Sequence, residues 1–159
     1  MRTGVILALI AACGGTDAPA DVAGDYAVNT TNRMNGCMFD NWTEGNSTSN
    51  IPVTLAQSGS DVTASIQGAI GGYVEAIAGT RTFTGDVSGS HVLAELHGQR
   101  SATKDNCTYT VLVTMSANLS GDTLSGTLTY TALTNQDPTC GYLQTCESVQ
   151  DFNGLRPPR

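Results

Sequence analysis

The chain has 159 residues, the size of one domain, with 14 acidic against 7 basic side chains and a formal net charge of −7. Such a surface repels phosphate backbones and offers no basic patch, which excludes nucleic acid as a partner. Only 13 % of residues are charged, and the abundant Thr, Ser, Gly and Asn suit a secreted β protein whose solvent faces are built from hydroxyls.

Met1-Arg2-Thr3 is a charged start, followed over residues 4–12 by a short run rich in Val5, Ile6, Leu7, Leu9 and Ile10. The run falls far short of the roughly 20 residues needed to span a bilayer, so it reads as an export signal. Ile10-Ala11-Ala12-Cys13 resembles the lipobox of bacterial lipoproteins, in which small residues precede a cysteine. That resemblance implies removal of residues 1–12 as a signal peptide and attachment of lipid to Cys13. With Gly14 following, it also implies a lipid anchor in the outer membrane of a bacterial cell envelope. Two or more acyl chains, at about 0.8 kcal/mol per buried methylene, hold a protein on a membrane where one does not. The alternative is an ordinary secretory signal with Cys13 a plain thiol. Residues 14–23 (GGTDAPADVA) read as a flexible tether, so the chain divides into 1–12 signal, 13–23 lipidated cysteine and tether, and 24–159 folded domain.

Setting Cys13 aside leaves Cys37, Cys107, Cys140 and Cys146, an even set that an oxidising compartment predicts to be disulfide-bonded. The favoured pairing is Cys140 with Cys146 across a short loop and Cys37 with Cys107. A metal site is disfavoured because no Cys-x-x-Cys occurs, and no cofactor is expected.

From Gly24-Asp25-Tyr26 onward the dominant signal is alternation. Tyr109, Val111, Val113, Met115, Ala117 and Leu119 share one parity, and Thr108, Thr110, Thr114, Ser116 and Asn118 the other. Successive strand side chains point to opposite faces, so this puts an apolar face inward and hydroxyls in water. Ser-Gly occurs three times between alternating runs, at Ser58-Gly59, Ser88-Gly89 and Ser120-Gly121, where glycine suits a tight hairpin. About eight strands are predicted, at roughly 25–33, 51–57, 61–67, 80–87, 90–98, 108–119, 122–132 and 146–154. The expected fold is all-β, a single antiparallel up-and-down β-barrel, with a two-sheet β-sandwich as the alternative. Gly24-Asp25-Tyr26 resembles the Gly-x-Trp start of the lipocalin and avidin barrels, with Tyr26 in place of Trp. The body is similar to the small β lipoproteins of Gram-negative bacteria, a resemblance that brings no activity with it.

No catalytic signature stands out. His91, Glu95 and His97 share strand parity, but the histidines lie roughly 20 Å apart along an extended strand, too far to share a metal. A solvated outer face is the better account of them, although Glu95 and His97 would be the first candidates for an envelope hydrolase. The nucleophile elbow, the zinc-protease helix motif and the phosphate-binding loop are absent.

Two connections could carry recognition. Residues 35–50 hold Met38, Phe39 and Trp42, which either grip a ligand or partner or fold back to plug the barrel, the plug being favoured. Residues 68–79, with Ile70, Tyr73, Val74 and Ile77, read as an additional strand, a lid or a membrane-touching segment. The leading functional expectation is a non-catalytic binding module holding a small apolar ligand. Its expected lining is Val53, Leu55, Val62, Ile66, Phe83, Val92, Leu96, Val111, Val113, Met115, Leu124 and Leu128. Eight strands leave space either for packed side chains or for one small ligand. The alternative is a solid scaffold presenting its loops to another envelope protein.

Overall fold

The computed structural model describes residues 18–158, so Cys13, its signal and residues 14–17 of the tether lie outside the described residues. Nine strands form one sheet: β1 (Gly24–Asn35), β2 (Ser47–Ser58), β3 (Asp61–Ile66), β4 (Thr82–Ser88), β5 (His91–His97), β6 (Ala102–Lys104), β7 (Cys107–Ser120), β8 (Thr123–Thr134) and β9 (Ser148–Leu155). Helix α1 (Gly68–Ala78) joins β3 to β4, and a 3₁₀ helix (Pro138–Gln144) joins β8 to β9. Neighbouring strands are antiparallel throughout. β5 pairs with β7, and β9 pairs back with β1, which closes an eight-stranded up-and-down barrel. The short β6 lies outside it, on the part of β7 that precedes the β5 pairing. A closed sheet leaves no sandwich edge, and the strand periodicity is what makes closure possible. The barrel strands turn most of their apolar side chains inward and mostly hydroxyls or charges outward, with Leu93, Leu133 and Leu155 exposed on the outside and Ser148 buried within. A barrel that crosses a membrane has the reverse distribution, with an apolar outer band.

The two ends of the barrel differ. One carries the three Ser-Gly hairpins, in which Gly59, Gly89 and Gly121 take φ of 64°, 55° and 60° and the residue after each does not turn positive. That is the two-residue turn that favours glycine at its first central position, and its twist matches the strands it joins. Residues 20–23 cross beneath this end. The Ala20 N–H donates to the Gly89 carbonyl (2.7 Å) and the Val22 N–H to Gln57 Oε1 (2.8 Å), while Val22 itself is fully buried. The fixed chain therefore reaches back to Ala20 rather than starting at Gly24.

All the long connections emerge at the other end: residues 36–46, α1, the β6 excursion and the 3₁₀ helix. The disulfides are there too, and their pairing corrects the expected one. Cys37 bonds to Cys146, and Cys107 to Cys140. β1 and β9 are neighbours, and the Gly36 N–H donates to the Glu147 carbonyl, which sets Cys37 beside Cys146. The 3₁₀ turn lays Cys140 over the start of β7, where Cys107 sits. Proximity along the chain lost to proximity across the sheet.

Residues 68–78 form a helix, not an additional strand. Ile70, Tyr73, Val74, Ile77 and Ala78 follow a helical spacing that three glycines had masked. Gly71 is buried, and a Cβ there would lie 2.2 Å from the Ile66 carbonyl oxygen, so glycine lets the helix press onto the end of β3.

Candidate functional site

The interior is filled in its closed half. Leu55, Val62, Phe83, Val92, Met115 and Leu124 pack with Tyr26, Val28, Ala64, Val87, Ala94, Ala117 and Phe152 into one core, against which Val53, Ile66 and Leu128 are partly buried. None of these lines the space at the other end. There a cavity of about 760 Å³ opens between α1, the 36–46 connection, the 3₁₀ helix and the upper parts of β7 and β8. Of the twelve residues expected to line a ligand space, Leu96, Val111 and Val113 do so and form its inner wall. The other nine are core. Side chains in the closed half meet across the barrel, and strand parity alone does not tell the filled half from the open one.

Met38, Phe39 and Trp42 all line the cavity. They neither stand free nor seal the barrel. Phe39 and Trp42 fold against Tyr130, whose side chain points inward from β8, with ring centroids 5.6 Å apart for Phe39–Trp42 and Trp42–Tyr130 and 6.1 Å for Phe39–Tyr130. Both contacts with Tyr130 are edge-on, the arrangement in which ring quadrupoles attract. Asn35 fastens the loop: its Oδ1 accepts the Phe39 N–H (2.9 Å) and its Nδ2 donates to the Phe39 carbonyl (3.0 Å). Trp42 Nε1 donates to the Arg33 carbonyl (2.8 Å). The three rings make one wall of an open mouth.

Behind that wall, the Tyr130 hydroxyl donates to Gln150 Oε1 (2.6 Å), and Gln150 Nε2 donates to Asn32 Oδ1 (2.6 Å). Burial pushes the Tyr130 phenol well above its ordinary range. At the 3₁₀ helix, the hydroxyl and N–H of Thr139 both donate to Asp137 and hold its carboxyl below the usual range.

Tyr73, Val74 and Ile77, named from the sequence in the second connection that could carry recognition, line the cavity from α1, while Ala78, Arg100, Tyr109, Tyr142 and Leu143 in its wall were not foreseen. Exposure marks the rim. Met38, Phe39, Tyr73, Ile77 and Tyr142 are all large, apolar in bulk and exposed, and all border the cavity. Clustered exposed apolar side chains around a concavity mark a binding surface, whereas scattered ones carry no such meaning.

His91, Glu95 and His97 lie on the outer wall as expected. His97 Nε2 is 2.9 Å from Glu95 Oε2, an exposed pair. Among the described residues no group of three metal-ligating side chains comes together, and no helix is long and apolar enough to cross a membrane. No family model, no curated protein and no solved structure matches the chain.

Proposed function

We propose that this protein is a lipid-anchored binding module of the bacterial envelope that holds a small apolar molecule at the open mouth of its barrel. The observation that carries the reading is the 760 Å³ cavity bordered by exposed Met38, Phe39, Tyr73, Ile77 and Tyr142. Its volume lies in the range of about 300–1,000 Å³ usual for small-molecule sites. Keeping such a rim in water costs solubility, and a ligand or partner that covers it offsets the cost. The lipobox-like Ile10-Ala11-Ala12-Cys13 supports the anchor, and Gly14 the outer membrane as its location.

Ala20 and Val22 are fastened at the hairpin end, opposite the mouth, so an anchor on Cys13 would join the domain from that end. From Cys13 to Ala20 the chain spans at most about 24 Å. The barrel strands run from 6 residues in β3 to 14 in β7, so the barrel wall rises between roughly 15 and 35 Å at ordinary strand tilt. On this reading the mouth stands away from the bilayer that holds the anchor and exchanges its ligand on the far side.

Native mass spectrometry of protein extracted from its membrane tests the binding. The expected result is an adduct of a few hundred daltons that a neutral hydrophobic probe displaces. Protein that is always empty and takes up no probe would sink the ligand reading. The same exposed rim favours a second reading, a scaffold that docks its mouth onto another envelope protein. Crosslinking from Tyr73 and Tyr142 in the native host would then recover one specific partner, and recovery of none counts against it.

A further inference from the structure

We infer that the ligand of the mouth is an amphiphile with a negatively charged end, and that Arg100 receives that end; this rests on the binding reading above. Acidic groups outnumber basic ones twofold in this chain, and three of the four arginines among the described residues are already engaged. Arg33 pairs with Asp151 (2.6 Å), Arg81 with Glu75 (3.6 Å) and Arg156 with Asp122 (3.2 Å). Among the described residues Arg100 has no carboxylate partner, and it is the only cationic side chain lining the cavity.

Arg100 is also held in place. Its backbone N–H donates to the Ala78 carbonyl (3.1 Å), its carbonyl accepts from Thr110 Oγ1 (2.8 Å), and its Nη1 donates to the Ala76 carbonyl. The guanidinium thus rests on the last turn of α1, beside the cavity. A guanidinium carries five N–H donors in a planar fork, so donors remain for a carboxylate or phosphate after one is used on Ala76. A charge fixed beforehand loses little freedom when it binds. The one lining acid, Asp40, lies on the 36–46 connection and has no comparable fixation. An apolar chain running inward from Arg100 meets Val74, Ile77, Leu96, Val111 and Val113. A role for Arg100 confined to closing α1 would leave the site indifferent to ligand charge.

The test is displacement of the neutral probe N-phenyl-1-naphthylamine by dodecyl amphiphiles that differ only at the head, each below its micelle concentration. Dodecanoate and dodecyl phosphate are expected to compete about tenfold better than dodecanol or dodecyltrimethylammonium, with the advantage falling as salt is added. Arg100→Gln should remove most of that preference, read as the ratio of anion to dodecanol competition within the same variant, and Arg100→Lys should retain part of it. Arg33→Gln, outside the mouth, should leave it unchanged. The two anions together separate a carboxylate from a phosphate ligand. Equal competition by all heads, a preference for the cation, or an anion preference that survives Arg100→Gln would overturn the assignment while leaving the cavity a binding site. Failure of the probe to bind would overturn both readings.

Discussion

Arg156 shows how a single side chain can close one end of a barrel. It is 8 % exposed, its Nη1 donates to the carbonyls of Asp21 (2.9 Å) and Ala23 (2.8 Å), its Nε reaches Asp122 (3.2 Å), and its guanidinium lies 5.8 Å over the Tyr26 ring. Removing a buried cation with such partners leaves acceptors desolvated, so Arg156→Gln should cost about 2–4 kcal/mol in urea denaturation. An unchanged midpoint would mean that this end is held by packing alone. Tyr130 gives a pH signature. Its phenol pKa is raised in the folded barrel, so its contribution is complete below the unfolded value near ~10 and drains away as the pH rises beyond that. Tyr130→Phe should cost about 1 kcal/mol at neutral pH through the lost bond to Gln150 and make the fold less sensitive to alkali. An alkaline unfolding curve identical to that of the parent would contradict this.

Helix α1 and the disulfides set how firmly the mouth is built. Within α1, Gly71 faces the Ile66 carbonyl while a Cβ at Gly72 would meet open space. Gly72→Ala should therefore stabilise the protein by about 0.5–1 kcal/mol, and Gly71→Ala should lift the helix and weaken probe binding. Equal effects of the two would show that the helix is not seated on β3. The disulfides close spans of 109 and 33 residues, worth about 4–5 and 3–4 kcal/mol in the loop-entropy account. Both brace the mouth, so reduction should abolish ligand uptake at a temperature where far-ultraviolet circular dichroism still reports the barrel. The strands and their Ser-Gly turns were legible in the sequence because a two-residue period and a positive-φ glycine are local signals. The helix was not, since glycines at 68, 71 and 72 diluted its period. Nor was the disulfide pairing, which depends on β1 lying beside β9, a relation made only when the barrel closes.

At the scale of the molecule, strand parity separates inside from outside but says nothing of position along the barrel axis. That is why Leu96, Val111 and Val113 share a face with Val62 and Leu124, yet only the first three border the cavity. The rest of the site comes from the connections gathered at one end, where sequence gives composition without placement. The filled, pinned base and the open apolar mouth give the barrel two ends of different character. The only tryptophan, Trp42, stands in the wall of that mouth and makes the claim directly measurable. Titration with N-phenyl-1-naphthylamine should quench Trp42 emission saturably at one probe per protein, and Val111→Phe, which fills the cavity wall, should weaken the effect. No saturable quenching, or saturation untouched by Val111→Phe, would contradict a ligand site at the barrel mouth.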